Sequence, residues 1–287
     1  MPPSTPPRRN SAGLRRDLEL LEVLGSPECE DSGGLGVVRI AELVGRDKGQ
    51  VSRTLATLAE SGLVMRDPHT LAYRLGDQLY ALAARTLESR LVREAGPYLR
   101  KVVRATHETA HLCVLRGDNV LTLTSELSEY AFRGIGWEGV SVAAWRTSSG
   151  RVLISNWSDE DLRGWYELHG HDRAVTGPIS PVMMQSAEAG PREGTPRTTD
   201  FPSLLAEVRR IRSRGYATVD EEFEVGVVGA SAPVYDFRGT IVAAINLSAP
   251  KARVGTHLNE VGRLIARVAA ELSEQLGGTP PDLARPA

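Results

Sequence analysis

Apolar positions near the N-terminus recur at helical spacing in two adjacent short segments. Ile40, Leu43 and Val44 form one stripe, Val51, Leu55 and Leu58 form a second, and Gly45-Arg46-Asp47-Lys48-Gly49 lies between them. Asp47 followed by Gln50 has the spacing of a capping box and places the start of the second helix there. At about 100° per residue, Arg53 points away from the apolar stripe, with Gly49, Gln50, Ala56 and Thr57 beside it. Upstream, Leu14, Leu18 and Leu21 mark a first helix that Gly25 ends, and Pro27 to Gly36 reads as a loop. Downstream, Gly62 stops the second helix and Leu63-Val64-Met65-Arg66 begins a strand. Asp67-Pro68-His69-Thr70 is a type I turn with Pro at its second position, after which Leu71, Tyr73 and Leu75 alternate with Ala72 and Arg74. The pattern over 39–76 is a winged helix-turn-helix, which suits double-stranded DNA.

The polar face of the second helix supplies the candidate contacts. Arg53 fits a guanine edge and Gln50 an adenine edge, with Ser52 and Thr57 alongside. Lys48, Arg66 and Arg74 fit phosphates, which position a domain without reading sequence.

Beyond the wing, a helix from Asp77 to about Arg93 joins the two halves, and Leu79, Leu82 and Leu87 offer it dimer contacts. A second helix is expected from Pro97 to about Thr109. The period then changes: His111 to Leu115 and Val120 to Thr124 flank Arg116-Gly117-Asp118-Asn119, a hairpin signal. Helices are expected near 148–156, 159–169 and 201–214, the last ended by Gly215, with a Gly/Pro-rich loop at 185–200. Two apolar strands, Val225 to Tyr235 and Thr240 to Leu247, precede a closing helix marked by Val261, Leu264, Ile265, Val268 and Leu272. The fold class is α+β: an N-terminal winged helix-turn-helix and a C-terminal antiparallel sheet with flanking helices. The expected boundaries are a disordered tail (1–13), the winged helix (14–76), a linker helix (77–93), the sheet domain (94–275) and a flexible tail (276–287).

Composition changes this picture little. The 287 residues are 41% hydrophobic, enough for two packed cores, and the formal net charge of −2 advertises no overall basic field. Locally, 39–76 holds Arg39, Arg46, Lys48, Arg53, Arg66 and Arg74 against Glu42, Asp47, Glu60 and Asp67, so DNA binding depends on where charges point and on copies acting together. Cys29 and Cys113 are too few for a disulfide framework or a cysteine zinc cluster. No apolar run reaches membrane-spanning length and the N-terminal residues lack a signal-like apolar stretch, so a cytoplasmic protein without membrane partners is expected.

Enzymatic readings are weak. His107-Glu108-Thr109-Ala110-His111 spells the zinc-hydrolase signature H-E-x-x-H, but a strand begins at once after His111, so both histidines cannot share one helical turn. Asp220-Glu221-Glu222 reads more readily as a solvated strand edge or cap than as a catalytic cluster, and His169 and His171 have no third metal partner in sequence. No nucleophile–base pair, phosphate loop or dinucleotide fingerprint occurs; no catalytic residue, metal site or cofactor is expected.

Three stretches together resemble an IclR-type transcriptional regulator: the winged helix (39–76); Trp145-Arg146-Thr147-Ser148-Ser149-Gly150-Arg151-Val152-Leu153; and Arg214-Gly215-Tyr216-Ala217 through Asp220-Glu221-Glu222 to Ala243-Ala244-Ile245-Asn246-Leu247-Ser248-Ala249-Pro250. The resemblance implies a GAF-like effector-binding domain, assembly as a homodimer or tetramer, and control of operator DNA by a small molecule. By position it puts Ser149 and Gly150 at the mouth of the effector pocket with Trp145 beside them, Asp220 on its wall, and Gly229, Asn246 and Ser248 on its floor. Backbone amides near Gly150, with Asn246 and Ser248, are then expected to hold the carboxylate of an organic or aromatic acid. The chain departs from the family at Asp47 and Gly49, where Pro and Ser are frequent, and at Gly229 and Asn246, where some members have Cys and Ser. Operator and effector are therefore its own. The alternatives are a C-terminal domain that only oligomerises or binds protein partners, and a zinc hydrolase using His107, Glu108 and His111.

Overall fold

The structure, a computed structural model, describes residues 12–131, 133–134, 136–172, 175–177 and 198–278. The expected terminal tails and most of the expected 185–200 loop lie outside these residues. Two compact units divide the chain, Met1–Ser89 and Arg90–Ala287.

The first unit contains α1 (Ala12–Leu24), α2 (Pro27–Asp31), α3 (Val37–Leu43), α4 (Lys48–Glu60), β1 (Val64–Arg66), β2 (Tyr73–Leu75) and α5 (Asp77–Ala83). Its core gathers Leu20, Leu24, Cys29, Leu35, Ile40, Val51, Leu55, Val64 and Tyr73. The apolar face of α1 differs from expectation: Leu20 and Leu24 are buried, whereas Leu14 and Leu18 are 64% and 47% exposed. Only the C-terminal turns of α1 meet the small core, so its first apolar residues run past it. Within the expected 27–36 loop, Pro27 opens α2 at a first-turn position that needs no N–H. Asp47 caps α4 as its spacing predicts, its Oδ1 accepting from Gln50 N at 3.0 Å. In the wing, Asp67 Oδ1 accepts from His69 N and Thr70 N at 2.8 and 2.7 Å. Of the alternating residues of β2 and its approach only Tyr73 is buried, beside Val64 of β1; Leu71 and Leu75 stay exposed.

The expected continuous helix from 77 to 93 is interrupted. After α5, residues 84–86 break the ladder before α6 (Leu87–Thr106) begins, and α6 runs through Pro97 rather than starting there. Leu91, Ala95, Leu99, Val102 and Val103 form one buried stripe across the proline. Burying that stripe outweighs the lost backbone hydrogen bond.

The second unit is built on β3 (Thr109–Arg116), β4 (Asn119–Glu126), β5 (Ser141–Ala143), β6 (Val175–Thr176), β7 (Ala217–Asp220), β8 (Val227–Tyr235) and β9 (Ile241–Pro250). They form one antiparallel sheet in the order β6-β5-β4-β3-β9-β8-β7. Helices α7 (Ser148–Leu153), α8 (Asp159–His169), α9 (Phe201–Arg214), α10 (Lys251–Val254) and α11 (Leu258–Gln275) complete it. Strand alternation sorts the central strands into two faces. Ala110, Leu112, Val114, Ala230, Ala232, Ile245 and Leu247 pack with the stripe of α6 and with Ile265, Val268 and Leu272 of α11. The opposite face carries His111, Cys113, Gly229, Asn246 and Ser248 and is roofed by α7.

Candidate functional site

Two surfaces stand out, one in each unit. In the first, Gln50, Arg53 and Thr57 are exposed on the face of α4 opposite Val51 and Leu55, Lys48 is exposed at the first position of the helix, and Ser52 is half-buried. Structure sorts the basic residues of this region into two groups. Arg39 is tied to Glu28 at 2.7 Å, and Arg46 donates to Arg16 O at 2.8 Å and to Asp17 at 3.2 Å, joining the turn to α1. Lys48, Arg53, Arg66 and Arg74 enter no ion pair among the described residues and remain available. Arg66 lies over the Tyr73 ring at 5.4 Å, and Arg74 Nη2 lies 3.3 Å from Met65 Sδ. The register Arg66↔Tyr73 and Met65↔Arg74 puts the two arginines on opposite faces of the wing.

In the second unit, a cavity of about 660 Å³ lies on the polar face of the sheet. Its lining includes His111, Cys113, Thr122, Ser148, Ser149, Gly229, Asn246 and Ser248, with Trp137 and Phe223 as an edge-to-face aromatic pair at 6.1 Å. The Thr147-to-Arg151 segment shapes its roof. Thr147 Oγ1 caps α7 by accepting from Gly150 N at 3.0 Å. Gly150 is required by close approach: a Cβ there would lie 2.0 Å from Ala144 O. Arg151, 1% exposed, donates through Nε to Trp145 O at 2.9 Å and bidentately to Glu222 at 3.1 and 2.7 Å.

Across the floor runs a row of polar side chains, one per strand. Ser125 of β4 is opposite His111 of β3, His111 is opposite Asn246 of β9, and Asn246 is opposite Ser231 of β8. Ser125 Oγ lies 2.8 Å from His111 Nδ1. Asn246 Nδ2 donates to Ser231 Oγ at 2.8 Å and Ser148 Oγ at 3.2 Å, and its Oδ1 accepts from Ser248 Oγ at 3.1 Å. Burial dominates the titration of this floor. It holds the His111 imidazole down at about 4, against the weaker pull of Glu138, and pushes the Cys113 thiol up to about 11.

Of the residues expected around the pocket, Ser149, Gly229, Asn246 and Ser248 line the cavity. Trp145, Gly150 and Asp220 do not. Trp145 packs with Ile154, Leu162 and Leu204, and its Nε1 donates to Asp172 O at 2.9 Å, because the turn before α7 aims it away from the sheet. Asp220 is an exposed edge residue paired with Lys251 at 2.8 Å; strand alternation turns Val219 inward instead. Of the groups expected to hold a carboxylate, Gly150 N is taken by Thr147 and Asn246 has both ends of its amide engaged. His111 and Trp137 line the cavity without having been foreseen there. The alternation of His111 and Cys113 with Ala110, Leu112 and Val114 could have revealed the first; no sequence signal marks the second.

The H-E-x-x-H residues do not form a zinc site. The helix ends at Thr106, His107 adopts the left-handed region at φ 59°, Glu108 pairs with Arg253 at 2.7 Å, and His111 belongs to β3. Folding does bring partners to His169: its Nδ1 lies 3.3 Å from Asp118 and 3.4 Å from Asp172, a partly solvated cluster that sequence spacing concealed.

The family model of the bacterial transcriptional regulator IclR C-terminal domain matches residues 84–179 and 184–274, and that of the IclR helix-turn-helix domain matches 13–68. The chain belongs to the IclR family. It is a DNA-binding transcriptional regulator of that family, with the winged helix at its N-terminal end and the antiparallel sheet at the other. Among curated relatives, this IclR-family protein is 28% identical over 269 residues to the HTH-type transcriptional regulator BhcR of Paracoccus denitrificans, covering 92% of this chain and 88% of that protein. It is 28% identical over 250 residues to KdgR of Escherichia coli, covering 85% and 86%. The fold matches the IclR of Thermotoga maritima with a TM-score of 0.68 at 22% identity, over 92% of this chain and 98% of that one. It also matches an IclR homolog from Microbacterium hydrocarbonoxydans complexed with 4-hydroxybenzoate, with a TM-score of 0.69 at 19% identity, over 92% and 97%. Among the described residues no helix is long and apolar enough to cross a membrane.

Proposed function

We propose that this regulator binds a near-palindromic operator as a homodimer or tetramer in the cytoplasm, and that a small organic acid in the second unit's cavity changes its operator affinity. The observation that carries the reading is the pairing of an exposed, uncommitted basic face on α4 and the wing with a formed cavity of about 660 Å³, within the size range of small-molecule sites. Arg53 and Gln50 read bases, Ser52 and Thr57 support them, and Lys48, Arg66 and Arg74 meet phosphates. Leu14, Leu18, Tyr80, Leu82 and Leu87 are exposed apolar side chains that a second copy would cover. In the cavity, Ser149, Gly229, Asn246 and Ser248 form part of the wall, Trp137 and Phe223 offer an aromatic surface, and Arg133 supplies a guanidinium for an acid. A relative in complex with 4-hydroxybenzoate supports a ligand of this size and charge. The homologues are transcriptional regulators, and repression with no catalytic step is the mode we assign.

The test is an anisotropy titration against DNA from upstream of the gene, at fixed physiological salt with competitor, with and without 4-hydroxybenzoate and other small acids. Operator binding that survives competitor and shifts five- to about 150-fold with an acid matches a coupling of about 1–3 kcal/mol. Binding abolished by competitor overturns operator recognition, and affinity that no acid alters overturns effector control.

A further inference from the structure

The polar row across the cavity floor is almost self-sufficient. Asn246 uses its amide on Ser148, Ser231 and Ser248, and Ser125 faces His111 Nδ1. His111 is 4% exposed and its Nε2 has no protein partner among the described residues. That nitrogen is not sealed in protein, since the only fully buried side-chain nitrogen or oxygen without a partner among the described residues is Trp165 Nε1. His111 lines the cavity, so its remaining nitrogen opens into the ligand space. Burying an imidazole with one nitrogen unmet is costly unless something completes it.

We infer that the effector carries a hydroxyl group, and that this hydroxyl hydrogen-bonds to His111 Nε2 on the sheet floor. The inference rests on the effector reading above and narrows it. The imidazole at this depth is neutral at physiological pH, so it meets its partner as a dipole, not a cation. The nearby guanidinium of Arg253 is engaged by Glu108, which leaves the floor without a counter-ion for a carboxylate. If Nδ1 donates to Ser125, then Nε2 accepts; if Ser125 donates, Nε2–H donates. A hydroxyl satisfies either tautomer, whereas an ether, a ketone or an ammonium satisfies only one. His111 is thus a specificity-determining residue, separating hydroxylated ligands from their deoxy counterparts.

Calorimetric titrations with matched pairs test it: 4-hydroxybenzoate against benzoate, and 3-hydroxybutyrate against butyrate, in the full-length protein and in His111→Phe and His111→Gln. The hydroxyl member of at least one pair should bind about ten- to a hundredfold more tightly to the unaltered protein. In His111→Phe the affinity ratio between the two members should fall to about one, whatever loss the two share. No preference, or one that survives in His111→Phe, overturns the hydroxyl contact and leaves effector control standing. Failure of every pair to bind at millimolar concentration overturns both. Imidazole ¹⁵N spectra of the unaltered protein give a readout independent of variant folding. The Nε2 resonance should move with the hydroxyl member and not with its partner, and equal movement with both overturns the inference.

Discussion

The outer face of α4 and the floor of the cavity are both polar, yet they are organised in opposite ways. On α4, Lys48, Gln50 and Arg53 project into solvent from consecutive turns of one helix, held only by Asp47 at its start and Val51 and Leu55 beneath. On the cavity floor, Ser125, His111, Asn246 and Ser231 come from four strands and are hydrogen-bonded in two groups, Ser125 with His111 and Asn246 with Ser231 and Ser148. An exposed face can lose one side chain and keep its fold; a buried network cannot, because every lost partner leaves a group unsatisfied. Under the proposed function, DNA recognition would rest on independent side chains and ligand recognition on hydrogen-bonded ones.

The sharpest way to break this contrast is Arg151→Ala. It strands Glu222 beneath α7, with only Thr198 N at 3.0 Å among the partners seen, and should cost the second unit about 3–5 kcal/mol in denaturant unfolding. A loss below 1 kcal/mol would mean that the α7 strap is not coupled to the sheet.

Next comes pH. The folded His111 ring takes up its proton only near 4, whereas an unfolded histidine does so near 6.5. A depressed folded value means that stability is fully present above pH 6.5 and declines as pH falls towards 4. Between pH 7 and 4.5 this residue should account for about 2–3 kcal/mol, absent in His111→Gln. Urea unfolding at both pH values checks it, and identical losses in the two proteins would remove His111 as the source.

On the DNA side, Arg53→Ala should weaken operator binding by about 1–3 kcal/mol and relax specificity at one base, while leaving unfolding within about 0.5 kcal/mol. Loss of stability in place of affinity would break the comparison, showing α4's face to be as coupled as the floor. The smallest effect belongs to the wing. Because Arg66 and Arg74 lie on opposite ribbon faces, each alanine variant should lower the salt dependence of binding by about one phosphate contact only if the wing enters a groove between two backbones. A change in one variant alone would lay the wing flat against a single strand.

Legibility followed the same division. The helix-turn-helix, the Asp47 cap and the 116–119 hairpin turn were readable because each depends on residues within a few positions of one another. The misplacements were non-local. Leu14 and Leu18 have the right period for a buried face, but the small core ends before them. Pro97 looks like a helix start, but a continuous buried stripe carries α6 through it. Trp145, Gly150 and Asp220 sit in or beside the motifs that resemble the family, and the backbone turns each away from the cavity while neighbouring Ser149 and Val219 face it.

By itself, then, the sequence determined the family, the winged helix and which polar side chains of its second helix stand exposed, since helical period and capping chemistry are properties of short segments. Only the tertiary structure decided which polar residues share the cavity floor, which arginines are committed to ion pairs, and that His111 is left with one open nitrogen. Those outcomes depend on strand register, which sets Ser125, His111, Asn246 and Ser231 side by side from positions as far apart as 111 and 246. Register is chosen by burial of the apolar set on the sheet's other face, a choice the whole unit makes at once.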